Sequence, residues 1–147
     1  MKRSSAINSC AKWAFLAITF VSFPSISGEP IKVCSLAEAK AAEAIAASIS
    51  SWEKLYFVFQ KYGHCDDGAI GEGFSESISV LLAEKWGTVD LLAQLVKKNS
   101  AFREFVIRHL DETVPAARLE KVKLNAWSNC SKAAQDICHE IYQSFKK

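Results

Sequence analysis

The segment Gly63-His64-Cys65-Asp66-Asp67-Gly68, continuing through Gly71, Glu72, Gly73 and Glu76, concentrates the side chains that could do chemistry. Glu72 and Glu76 share a face at i, i+4 helical spacing, with His64 and Asp66 at its entrance. Two acids beside a histidine can support general acid–base catalysis. The same residues have a structural explanation. Adjacent Asp residues at a helix start are what the macrodipole favours. Glycine inside a helix costs ~1 kcal/mol against alanine, so Gly71 and Gly73 imply close approach of another helix. Capping and packing is the leading expectation here, then binding of a partner protein, then catalysis.

A second group is aromatic: Trp52, Tyr56, Phe57, Phe59 and Tyr62. Leu55 to Phe59 is apolar on every side of a helix, so that helix is either buried all round or has a face left for a partner. Trp52 and Tyr56 are of the types that anchor interfaces. His109 lies on an apolar helical stripe and reads as a hydrogen-bonded, half-buried residue. His139 follows Cys138 near the C-terminus. His64-Cys65, Cys138-His139 and His109 offer metal-ligand types. No C-x2-C or H-x3-H spacing accompanies them, so no metal is expected. No cofactor motif is present: there is no G-x-S-x-G, phosphate-binding glycine loop, H-E-x-x-H or EF-hand loop. Asn129-Cys130-Ser131 fits the N-x-S glycosylation pattern.

The elements that must position these residues read as helices throughout. Ser35-Leu-Ala-Glu38 is a capping box opening an Ala-rich helix. Ser50-Ser-Trp-Glu53 repeats the pattern before WEKLYFVFQKY, which stops at Gly63. Asp66 or Asp67 caps a helix running to Trp86 and ending at Gly87. Thr88 caps VDLLAQLVKK, and Asn99 or Ser100 caps AFREFVIRHL. Pro115 suits a helix's first turn, and Ser131 caps KAAQDICHEIYQSF. Leu91, Leu92, Leu95 and Val96 recur at helical spacing, as do Phe102, Phe105, Val106 and Leu110. No alternating strand pattern appears. The expected fold is all-α, a bundle of six to seven short helices.

The N-terminus has the three-part plan of a secretory signal peptide. Lys2, Arg3 and Lys12 lead, Trp13 to Phe23 is the apolar run, and Ser25 and Ser27 are the small residues before a cut. The run is about half the ~20 residues needed to span a bilayer. The expected organisation is a signal peptide over 1–27 and one helical domain over 28–147. The leader takes three of the 18 basic residues and none of the 16 acidic ones, leaving a net charge of −1. Nucleic-acid binding needs a cationic surface, so it is not expected, and neither is stable membrane insertion after cleavage. The compartment should be the periplasm or the exterior.

Four cysteines then persist: Cys34, Cys65, Cys130 and Cys138. In an exported chain they read as two disulfides. Eight residues of helix span ~12 Å, whereas a disulfide needs Cα atoms within about 7 Å. That argues against Cys130–Cys138 unless Cys130 lies in the loop before the helix and folds back. The preferred pairing is Cys65–Cys130 with Cys34–Cys138, ahead of Cys34–Cys130 with Cys65–Cys138.

In size, export signal and helical design the chain is similar to periplasmic immunity proteins, which block toxins that attack the cell wall. The similarity is architectural and transfers no residue. It implies a binding protein that occludes a partner protein rather than an enzyme. The surface expected to bind is His64, Asp66, Asp67, Glu72 and Glu76 with the exposed parts of Trp52 and Tyr56, its acids steering a basic partner. Two alternatives stand beside it: a small hydrolase using Glu72 or Glu76 with His64, and an envelope component without a discrete site.

Overall fold

Ser35 and Glu38 close on one another at the start of the first helix. The Ser35 hydroxyl accepts from the Glu38 amide, and Glu38 accepts from the Ser35 amide. In this computed structural model, which describes residues 32–146, seven α-helices follow. They are α1 (Leu36–Ala46), α2 (Trp52–Tyr62), α3 (Gly68–Glu84), α4 (Val89–Lys98), α5 (Ser100–Arg108), α6 (Ala116–Ser128) and α7 (Gln135–Ser144). Single 3-10 turns at Gly63–Cys65, Trp86–Thr88 and Lys132–Ala134 join some of them. The described residues contain no strand, so the all-α expectation holds. The proposed leader, 1–27, lies outside the described residues.

The caps are mostly where local chemistry puts them. Ser51, not Ser50, caps α2, accepting from the Lys54 amide. Asp67 caps α3 and Asn99 caps α5. Ser131 caps the 3-10 turn that leads into α7. Thr88 departs from expectation: its hydroxyl donates to the Lys85 carbonyl and accepts from the Trp52 indole N–H at 3.0 Å, so it is not free to cap α4. Helix α3 ends at Glu84, short of Trp86, because the chain tightens there into a 3-10 turn.

The aromatic helix α2 is not the centre of the bundle. It buries Trp52, Leu55, Val58 and Tyr62 but leaves Phe57 63 % exposed. The central helix is α3, whose faces meet different neighbours. Gly73 and Ser77 face α1. A Cβ at Gly73 would stand 2.8 Å from Ala46 Cβ and 3.0 Å from the Ala47 amide nitrogen. Ser77 donates to the Ala46 carbonyl and accepts from the Ile49 amide at 3.1 Å. Glu76 and Glu84 face α6, pairing with Arg118 and Lys121, while Asn125 of α6 donates to the Leu82 carbonyl. Phe74 packs edge-to-face on Phe105 of α5, with ring centroids 5.0 Å apart.

The disulfides are Cys34–Cys65 and Cys130–Cys138, which corrects the preferred pairing. Cys130 lies beyond the end of α6, and the 3-10 turn folds it back over the first turns of α7. The Cα separation is therefore 6.2 Å instead of the ~12 Å of a continuous helix. Cys34 precedes α1 and meets Cys65 because α1 packs against the 63–65 turn. Each bridge is local: one ties the entry of α1 to the end of α2, the other ties α6 to α7.

Candidate functional site

Asp66 is the organising residue of an open cleft. The residue follows the Gly63–Cys65 turn, and its side chain is only 8 % exposed. The Arg108 guanidinium donates to Oδ2 through both Nε, at 3.1 Å, and Nη2. His109 Nε2 lies 3.0 Å from Oδ1. His109 Nδ1 faces the Phe105 carbonyl at 2.7 Å, and a carbonyl can only accept, so that nitrogen carries a proton. Burial alone pushes the Asp66 carboxyl upward, but the hydrogen bonds from His109 and Arg108 and the charges behind them outweigh it. Its pKa therefore falls below the ordinary 3.8.

The cleft these residues floor has a volume of about 360 Å³ and is lined also by Gly68, Gly71, Glu72, Ser75, Asp111 and Thr113. Gly71 keeps it open: a Cβ there would lie 3.2 Å from Asp66 Oδ1. Gly68, at φ +50°, uses the left-handed conformation that glycine adopts without steric cost. Asp111 accepts from the Thr113 amide and hydroxyl at 2.9 and 2.6 Å, and from the buried Ser75 hydroxyl at 3.4 Å. Glu72 is exposed and has no ion-pair partner among the described residues. Asp66 is thus balanced by Arg108 and hydrogen-bonded to His109, while Glu72 and Asp111 leave an acidic surplus at the mouth.

Only part of the surface expected from sequence assembles here. Asp66 and Glu72 line the cleft; His64 and Glu76 do not. Glu76 Oε2 is 2.5 Å from Arg118 Nη1 on α6. His64 turns toward α1, with Nε2 3.3 Å from Glu38 Oε1. Asp67 is occupied as the α3 cap. Trp52 requires a correction: it is 1 % exposed and has no surface to offer, because its ring fills the core and its N–H is held by Thr88. Tyr56 is half-buried against Phe59 and Phe102, its hydroxyl accepting from Asn99. Of the residues considered for hydrolysis, Glu72 alone lines the cleft, while Glu76 pairs with Arg118 and His64 lies beside Glu38.

Sequence reasoning missed Arg108 as a partner of Asp66, and Ser75, Asp111 and Thr113 as lining of the same cleft. Arg108-His109 at the end of an apolar stripe was the available sign, but a weak one, since a cation at a helix C-terminus is already favoured by the dipole. It also missed an apolar patch on α6 and α7. Leu124 and Trp127 are 60 % and 69 % exposed, and Trp127 lies 5.0 Å from the Tyr142 ring. No helix among the described residues is long and apolar enough to cross a membrane. Compared with protein-family models, curated proteins and solved structures, the chain matches none.

Proposed function

We propose that the protein is an exported binding module that occludes a partner protein, with the Asp66 cleft receiving a basic side chain of that partner. The observation that carries this reading is the acidic surplus at the cleft. Asp66 is already engaged by Arg108 and His109, so Glu72 and Asp111 are the cleft carboxylates without an ion-pair partner among the described residues. The two disulfides support the same reading, since a surface fixed before binding loses less entropy on association. They also fit a periplasmic or extracellular location. A discrete cleft is what separates this reading from that of an envelope component without a site. The partner would be an envelope enzyme or toxin, blocked as an immunity protein blocks its target.

A photo-crosslinking amino acid at Thr113, on the cleft rim, tests the proposal in extracts of the producing cell's envelope. One dominant protein adduct is expected. Glu72→Lys in the same chain should reduce its yield at least ~10-fold, because like charges juxtaposed at an interface cost several kcal/mol. Equal yield with Glu72→Lys, or the same adducts from a label at exposed Glu53 on α2, would overturn it.

A further inference from the structure

Cys34, His64 and Cys65 are the one group of three metal-ligating side chains, among the described residues, whose donor atoms all lie within 4.8 Å of one another. His64 is largely buried, its side chain 15 % exposed. Its Nε2 has no hydrogen-bond partner. Glu38 Oε1 is near enough for an ion pair were the ring protonated, at 3.3 Å, but the contact does not meet hydrogen-bond geometry. A buried ring nitrogen without a partner is uncommon in a folded protein and calls for an explanation. Glu38 itself is anchored by Lys32 at 2.9 Å and by the Ser35 hydroxyl at 2.7 Å.

We propose that Cys34, Cys65 and His64 form a latent Zn2+ site that is available whenever the Cys34–Cys65 bond is absent, with Glu38, beside His64 but outside the present cluster, swinging in as fourth ligand. Two thiolates, an imidazole and a carboxylate are the donor set of a tetrahedral zinc centre, with sulfur and nitrogen about 2.3 and 2.0–2.1 Å from the ion. In such a centre two sulfurs sit ~3.8 Å apart, so the free thiols need only part a little from their bonded positions. Hard cations that demand oxygen ligands are disfavoured by the two sulfurs. His64 Nε2 then gains the partner it lacks. The ion and the disulfide are alternative fasteners between the entry of α1 and the 63–65 turn.

The chemistry balances in both directions. Zn2+ entering the reduced site displaces one proton from each thiol and forms two Zn–S bonds. Oxidation by a disulfide oxidant forms the Sγ–Sγ bond, gives the oxidant two electrons and two solvent protons, and releases the ion. A chain whose thiols have not yet been oxidised needs no reductant to occupy the site. Spacing alone hides this arrangement, because Cys34 is 31 residues from Cys65. Export is not required for the ligand geometry, so the proposal stands independently of the binding role.

Cobalt substitution tests it. The Cys130→Ser/Cys138→Ser protein, reduced with a phosphine that takes its oxygen from water, should bind one Co2+ with thiolate charge-transfer absorption and the intense visible bands of a tetrahedral site. Zn2+ should bleach them. The oxidised protein should show neither. His64→Asn should remove the tetrahedral bands, and Glu38→Ala should weaken binding about 10–100-fold. Should the double variant not fold, reduced wild-type protein is compared with reduced Cys34→Ser, in which the tetrahedral spectrum must vanish. Co2+ uptake equal in oxidised and reduced protein, or a spectrum unchanged by His64→Asn, would overturn the proposal.

Discussion

Three interactions converge on Asp66, and its substitution should report them. Asp66→Ala strips a buried acceptor from His109 and Arg108. The cost should be about 1–3 kcal/mol, the penalty for orphaning a buried donor, because Arg108 can rehydrate and His109 cannot. The pH dependence follows from the direction of the Asp66 shift. Its folded-state pKa is below the ordinary 3.8, so its stabilising contribution is complete above the unfolded value. That contribution is lost as pH falls through the folded one. The unfolding midpoint should therefore decline on acidification below pH 3.8, and Asp66→Asn should flatten the decline while lowering stability at neutral pH. An acid slope unchanged by Asp66→Asn, measured by urea unfolding between pH 2 and 6, would show that other carboxylates dominate it. The need for a residue at the end of the 63–65 turn to cap or pair was legible in the sequence. The partner was not, because His109 lies 43 residues away and His64 lay two residues away as a more obvious candidate.

At the level of elements, α3 shows how a residue choice that weakens a helix can strengthen a bundle. Gly73→Ala should gain up to ~1 kcal/mol of helix propensity. It also places a methyl group 2.8 Å from Ala46 Cβ and 3.0 Å from backbone nitrogen, and backbone cannot move aside as a side-chain end can. Overpacking of this kind costs about 1–3 kcal/mol, so the variant should be less stable than wild type in chemical denaturation. A more stable variant would show that α1 can shift outward at little cost. The same helix shows why aromatic content is a poor guide to the central element. Aromatic content marked α2 as the core, yet Phe57 is exposed, while α3 reaches α1, α5 and α6 through Gly73, Ser77, Phe74 and Glu76. Small and polar residues permit close approach and cross-helix hydrogen bonds, so a helix rich in them can be central without looking so. Trp52 and Trp127 make the complementary point. Both sit on helices beside apolar residues, but one is 1 % and the other 69 % exposed.

For the whole molecule, the consequence of local disulfides is that neither bridge joins the two ends of the bundle. By the loop-entropy relation, closing 31 residues is worth about 3.5–4 kcal/mol and closing eight about 2.5. Breaking Cys34–Cys65 by Cys34→Ser/Cys65→Ser should therefore lower Tm more than Cys130→Ser/Cys138→Ser. Helicity in native buffer should persist in both variants, since Phe74, Phe102, Phe105 and Ile141 still hold the core against which the cysteines pack. Peptide mapping without reduction should recover Cys34 with Cys65 and Cys130 with Cys138. Recovery of Cys65 with Cys130 would contradict the described packing of α1 and α7.

Helices and most of their caps were readable because their signals act within three or four residues: Ser35 with Glu38, Asn99 with Phe102, Ser131 with Ala134. The all-α class and the presence of two disulfides followed from the same local evidence and a count of cysteines. Which sulfurs meet, which aromatic is covered and which histidine faces Asp66 depend instead on how α1, α3, α5 and α6 pack. Packing is decided by the combined shape and burial of residues tens of positions apart, and those distances exist only once the chain has closed on itself.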